Sequence, residues 1–261
     1  MPAIYAHTVF GEEVLKKLNP ELQKIIQDDM DYYNIGVNGP DILFYNQPLK
    51  HNPINRLGNN MHKQIAFDFF MHGKNAVKKS INRDAAIAYV CGFICHFILD
   101  SECHGYVGEC EKKYGASHYE IEADFDRALL VERGFVANEV QLSSTIHYND
   151  EISEVIAPFF GIQSDDVKKS LKGMIFFLDV LHCRSSLKRN ILFLGMDLVK
   201  VSSMKGLVVR NEPNLKCKES TPELIHRLYD SIDLAVQMIE EYMNEIDVDT
   251  KINDRFKRNY V

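Results

Sequence analysis

The fold turns on the stretch DAAIAYVCGFICHFILDSECH, Asp84 to His104. From Asp84 to Asp100 it offers few polar side chains besides His96 and Asp100. A helix apolar on every side belongs in a protein core or in a membrane. This stretch is short for a membrane span and holds an imidazole and a carboxylate, so a soluble core is expected. His96 and Asp100 stand four apart and stack on one helix face. Gly92 lies one turn earlier on the same stripe, where another group can approach. Buried polar groups need partners. For a lone pair of this kind, core hydrogen bonds are the commoner partner and a metal ion is the other.

Working outward, Val9, Phe10, Val14, Leu15 and Leu18 recur at helical spacing over Thr8 to Leu18, with His7 at or near the helix start. Asn19, Pro20 and Glu21 read as a cap, a first-turn proline and a first-turn acid. A second helix follows through Leu22, Ile25 and Ile26. From Tyr33 to Leu49 the period fails, and Gly36, Gly39 and Pro40 predict a loop with Asp41 straight after the Gly-Pro pair. A third helix is expected from Asn59 or Asn60 to about Lys74, with His62 in its first turn. Ser80 to Arg83 is a turn before the central helix. The run GYVGECEKKYGA after His104 reads as polar and irregular. SHYEIEADFDRALLVERG is helical again, and Ser117 with Glu120 fits a capping box. His118 and Glu122 form a second His/carboxylate pair four apart, and Asp126 extends that stripe by one turn.

Beyond Gly134, helical spacing covers Asp165 to Cys183, Leu187 to Val199, and a helix from Thr221 to Met243. Residues 201 to 220 read as a loop, and the charged tail from Asp247 as frayed. No strand pattern or repeat is present. The expected fold class is all-α: a single multi-helix, bundle-like domain over residues 1–261.

The chain has 261 residues, ample for a large core. A net charge of −7 argues against broad nucleic-acid binding through phosphates. It leaves room for a small anionic substrate. The start, MPAIYAHTVFGEE, lacks the basic and apolar segments of a secretory signal, so a cytoplasmic location is expected. Cys91, Cys95, Cys103, Cys110, Cys183 and Cys217 form no CxxC pair, and free buried thiols are the default. Cys103 beside His104 reads as a core residue before a ligand. His72, His147, His182 and His226 have no evident partner and read as surface or hydrogen-bonded histidines.

His7, Asp41, His62, His96, Asp100, His104, His118 and Glu122 all fall in the first half of the chain. Imidazoles and carboxylates without thiolates suit zinc. His104 follows Asp100 by four, so one more helical turn puts His96, Asp100 and His104 on one face. Asp100 can then bridge two ions. Eight such groups converging in an apolar bundle are hard to explain as core polarity alone.

The pieces HTVFG, GPDILFY, MHKQ, HFILDSECH and SHYEIE, taken in order, resemble the zinc-dependent phospholipase C family. These are all-helical metallohydrolases with up to three clustered zinc ions, on a scaffold shared with single-strand-specific zinc nucleases and 3′-nucleotidases. The resemblance covers His7 to Glu122. It implies one zinc on Asp41, His62, His96 and Asp100, and a second on His104, His118 and Glu122. A third would take His7, Asp100 as a bridge, and the N-terminal amine. Met1-Pro2 stands where the secreted members expose a tryptophan, and the step from Asp100 to His104 is shorter than theirs. His51 lies nearer the spacing of secreted members, but His62, at a helix start, is preferred. Ile42 stands where a tyrosine of the choline site is expected, leaving Phe44, Tyr45 and Tyr5 as candidate pocket aromatics. The C-terminal β-sandwich with which some toxins grip membranes is missing.

The resemblance implies hydrolysis of a phospholipid or small phosphodiester by zinc-activated water, with Asp41 orienting the water, acting as base, or serving only as a ligand. The implied partners are that substrate and a transient membrane contact. Long nucleic acid is not expected, and the oligomeric state is open. Two other functions compete. A nuclease or 3′-nucleotidase needs aromatic stacking for bases, and the chain has no Trp. A non-catalytic metal-binding scaffold is suggested by the changed N-terminus.

Overall fold

The computed structural model describes residues 3–248 and 251–260. Among these the protein is built from twelve α-helices joined by short 3-10 segments, with no strand. The central helix runs Arg83–Tyr114 (here α6), and the helices before it are Ile4–Lys17 (α1), Pro20–Asp28 (α2), Met30–Gly36 (α3), Pro53–Met61 (α4) and Phe67–Lys79 (α5). After it come His118–Glu132 (α7), Asp150–Phe160 (α8), Ser164–Leu181 (α9), Ser186–Leu198 (α10), Ser220–Asp230 (α11) and Ile232–Asn244 (α12).

Helix α6 is long and apolar enough to cross a membrane, but 94% of its most apolar window is buried by the other helices. Asn82 caps its start by accepting from the Ala85 N–H, and Gly115, at φ 64°, ends it in the left-handed conformation that favours glycine. The helix therefore continues a full ten residues past His104, through the run expected to be irregular. Gly105 and Gly108 weaken that segment locally. Burial of Val107 and Cys110 carries it through.

Helix α3 crosses α6 at close quarters. A Cβ on Gly36 would stand 2.2 Å from the Tyr89 carbonyl oxygen, and one on Gly92 would stand 2.3 Å from that of Tyr33. Only hydrogen at both positions lets the two backbones meet. The Tyr33 hydroxyl, donating to the Gly11 carbonyl at 2.8 Å, ties α1 into the same layer.

Several boundaries differ from the sequence expectation. Gly39–Tyr45 is a 3-10 helix rather than loop. The third helix divides: Asn52 caps α4 with Pro53 in its first turn, His62 follows α4 as its C-terminal cap, and α5 starts only at Phe67. The helix expected from Thr221 to Met243 breaks at Ser231, and α8, capped by Asn149 with Ile152, Val155, Ile156 and Phe159 at helical spacing, lies in a stretch left unassigned from sequence. The loop at 201–220 holds two short 3-10 turns, Ser202–Leu207 and Leu215–Cys217. The tail does not fray in its described part: Ile252, Phe256 and Tyr260 are buried, and the Ala66 N–H donates to the Arg258 carbonyl at 2.9 Å. Buried Lys74 holds the preceding turn by donating to the carbonyls of Glu245, Val248 and Lys251 at 2.7, 3.0 and 2.5 Å. That is how a buried ammonium stays solvated without water.

Candidate metal centre

Five elements deliver the eight candidate ligands to one place. Helix α1 brings His7 from its first turns, the Gly39–Tyr45 turn brings Asp41, and the end of α4 brings His62. Helix α6 brings His96, Asp100 and His104, and α7 brings His118 and Glu122. The capping box of Ser117 and Glu120 forms as the sequence predicts and fixes where α7 begins, hence which way His118 faces.

Asp100 is the hub. Its Oδ1 lies 3.3 Å from His7 Nε2 and 3.5 Å from His104 Nε2. Its Oδ2 lies 3.1 Å from His96 Nε2 and 3.7 Å from His62 Nε2. His62 Nε2 also meets Asp41 Oδ1 at 2.9 Å, and His118 Nε2 meets Glu122 Oε1 at 3.0 Å. His104 Nε2 is 4.0 Å from the same Glu122 oxygen, which joins the two halves of the cluster.

Three subsets each offer ligand atoms within 4.8 Å of one another: His7 with His96 and Asp100, Asp41 with His62 and His96, and His104 with His118 and Glu122. The subset of His104, His118 and Glu122 has the members implied for the second ion, whereas the other two differ from the implied sets: His96 belongs to both, and Asp100 groups with His7 rather than with Asp41 and His62. The N-terminal amine implied for a third ion lies outside the described residues. His51 is exposed and joins no subset, so the structure brings His62 and not His51 to the cluster. Cys103 stands outside all three, and burial pushes its thiol up to about 12.

The side chains fit a divalent cation. Buried Nε2 atoms of His62, His96 and His104, with Asp100 Oδ2 and Glu122 Oε2, lack a well-angled hydrogen-bond partner among the described residues. Such atoms are costly unless something binds them. Burial keeps the His96 and His104 imidazoles below their usual pKa, hence neutral and ready to donate a lone pair. Burial pushes the Asp100 carboxyl up, but His104, His96 and His7 outweigh it and hold it well below the carboxylate range. Burial and His62 oppose each other in the same way at Asp41, which also ends ionised.

Two ligands are aimed by groups that sequence reading missed. His62 Nδ1–H donates to the Gly58 carbonyl at 2.9 Å, which turns Nε2 inward. Glu111, on the unexpected last turns of α6, accepts from the His118 backbone N–H at 2.9 Å and faces His118 Nδ1 at 3.3 Å. A carboxylate behind a histidine fixes its tautomer and raises its basicity. Asp126 extends the α7 stripe but serves the scaffold: its Oδ1 accepts from the Ala6 N–H at 2.8 Å, pinning the first turn of α1 one residue before His7. Gly39, at φ 52°, leaves room for the His96 ring; a Cβ there would stand 2.2 Å from it. The Tyr260 ring, tilted by 45°, lies 5.3 Å from that of His62 and closes the cluster from the tail side.

The cluster opens on a cleft of about 570 Å³. His62, His104 and His118 form its polar end, and Phe44, Tyr45, Tyr119, Phe177 and Leu181 give it an apolar wall. Phe44 and Tyr45 thus occupy the pocket as expected. Tyr5 does not: it is buried and faces Arg133. Ile42 is buried in the core and away from the cleft lining. Of the remaining histidines, His72 meets the Pro158 carbonyl at 2.7 Å and His147 meets Asp31 at 2.8 Å. His226 has a partner the sequence reading passed over, Asp230 at 3.1 Å and four residues on, but both are exposed.

Together, the helices and the converging donor set define an all-α protein built around a buried histidine and carboxylate cluster that could hold metal. The family model described as zinc dependent phospholipase C matches residues 6–169, and the chain belongs to that family. Comparison with curated proteins and with solved structures returned no match.

Proposed function

We propose that the protein hydrolyses a phosphodiester, with a phospholipid as its substrate class. One observation carries this: a dense set of cation ligands opens on a cleft that has an apolar wall. A phosphate can reach the ligands while acyl chains lie against Phe44, Tyr45 and Phe177.

His7, Asp41, His62, His96, Asp100, His104, His118 and Glu122 would hold zinc, up to three ions. Bound zinc supplies an acidified water at neutral pH and neutralises phosphoryl charge. The chain's own residues do the rest. Asp100, with both oxygens engaged, fixes the spacing between the subsets. The Asp41 carboxylate, held ionised beside His62, is suited to binding a cation and orienting a water; a general base would need a pKa nearer neutrality. Asp41→Asn with full zinc content and full activity would eliminate any base role. Lys63, exposed at the cleft edge beside His62, is placed to meet an anionic phosphate oxygen. Asn59, exposed at the cleft edge, offers an amide hydrogen bond to a head group, whereas the buried Asn55 amide is taken up by the Lys50 carbonyl and the Asn52 N–H. Six free, buried thiols accord with a proposed cytoplasmic location.

The test is parallel turnover of a short-chain phospholipid, a chromogenic phosphodiester and single-stranded DNA by zinc-loaded protein. Lipid and chromogenic turnover without DNA cleavage is the expected result. DNA cleavage alone would transfer the site to a nuclease, and no turnover at full zinc content would make it a scaffold.

A further inference from the structure

A helix on the surface of a water-facing protein normally shows one apolar face. Helix α10 shows two. Its inner face sends Leu192, Phe193 and Met196 into a small core of its own, with Leu181, Cys183 and Val208, separate from the main core. Its outer face carries Leu187, Ile191, Leu194 and Leu198, spaced four, three and four apart. These are 69%, 63%, 62% and 76% exposed. Among the described residues nothing covers this stripe.

Charge and position say what would. Residues 182–205 carry five basic side chains, Arg184, Lys188, Arg189, Lys200 and Lys205, against one acidic, Asp197. The chain as a whole has a net charge of −7, so this arm is a basic island on an acidic protein. The same arm borders the substrate cleft: Leu181 at its base and Met204 and Leu207 at its return line the cleft with His104 and His118. It lies beyond the residues that the family model matches. An exposed leucine and isoleucine stripe within a basic segment is the chemistry of a helix that lies in a lipid interface.

We infer that α10 docks the protein on an anionic bilayer, with Leu187, Ile191, Leu194 and Leu198 entering the interface beside the cleft mouth. This deepens the phospholipid proposal and rests on it. The arm turns a cleft that accepts a diester into one presented to the surface where such diesters are packed.

Flotation of the zinc-loaded full chain with vesicles of phosphatidylcholine containing phosphatidylglycerol tests it, because flotation reads binding without turnover. The expected result is binding that weakens with salt and on pure phosphatidylcholine. Ile191→Asn with Leu194→Asn, both at exposed positions, should weaken it by about tenfold or more. Turnover of the soluble chromogenic diester should stay unchanged in that variant, which also shows that it folds. Equal vesicle binding by variant and wild type overturns the inference, as does failure of wild type to bind. So does a wild-type dimer that the double variant splits, since a second copy would then cover the stripe. Vesicle binding that depends on the stripe, without hydrolysis of any lipid, would uphold the docking surface and remove the phospholipase proposal.

Discussion

The two ends of the ligand cluster are built differently. At the inner end His7, Asp41, His62, His96 and Asp100 are all buried, and His96 is fully so. Three stretches of chain before α6 converge there on that helix, and the His7 and His96 rings stack 4.5 Å apart. At the outer end His104, His118 and Glu122 come from α6 and α7 alone, and the His118 side chain remains 29% exposed beside the cleft. A closed set of ligands serves to hold an ion, whereas an accessible one leaves a position for water or substrate. We therefore expect the inner end to set geometry and stability, and the outer end, with His62 at the boundary where it also lines the cleft, to exchange with solvent and meet the substrate.

The largest effect should come from removing the group both ends share. Asp100→Ala takes one carboxylate from among four imidazoles. We expect zinc to be lost from both ends and diester turnover to fall on the order of 10³-fold or more. The metal-free fold should lose about 3–5 kcal/mol, the scale of breaking a buried ion pair. Elemental analysis, turnover and urea unfolding check the three parts. Asp100→Ala with zinc content intact would refute the hub.

Next comes Glu122→Gln, which touches the outer end alone. Zinc content should fall by about one ion while inner-end ions and unfolding midpoint stay near wild type, and turnover should drop about 10²-fold. A loss of all zinc would show that the ends are one cooperative site and erase the contrast between them.

Gly39→Ala probes the inner end without removing any ligand. The new methyl must displace the His96 ring, and the backbone already sits at positive φ. A cost of about 1–3 kcal/mol is expected from strain and overpacking, with weakened inner-end zinc and a smaller activity loss than Glu122→Gln. Thermal unfolding with and without zinc measures both.

What the sequence made legible divides along the same line as physics. His96 with Asp100 and His118 with Glu122 are local pairs that helical periodicity placed on one face, and Ser117 with Glu120 is an equally local capping box. Gly92 as a close-approach site was legible for the same reason, although its partner Gly36 was hidden in what looked like loop. His62 was found but put on the wrong end of a helix: Ile54, Leu57 and Met61 do keep helical spacing through α4, but the loop reading runs on through Pro53. Lys74 and Tyr260 act through contacts far along the chain, which no local pattern encodes. Glu111 was missed because its glycines and lysines suggested irregular chain, while burial of Val107 and Cys110 made it helix.

Glu111 also supplies the smallest and most discriminating prediction. Burial lowers the His118 pKa, but Glu122 and Glu111 outweigh it and raise the imidazole to about 9. That exceeds the roughly 6.5 of a free imidazole. In the metal-free protein the charged ring therefore stabilises the fold fully below about pH 6.5, and the contribution fades as pH rises through about 9. Zinc needs the neutral ring, so outer-end affinity should climb across this window and level off above it. Glu111→Gln removes one of the two carboxylates, so the levelling should move to lower pH. It also turns one of the two accepting oxygens into an NH2 donor, which weakens the hold on the ring, so affinity on the plateau should fall about 10–100-fold, with inner-end zinc untouched. Calorimetric zinc titrations of wild type and variant from pH 6 to 9.5 read both effects. If the plateau drops but the pH curve keeps its position, Glu111 orients His118 without tuning it. If neither moves, the outer end needs no support from α6 beyond His104, and the difference between the two ends is one of exposure alone.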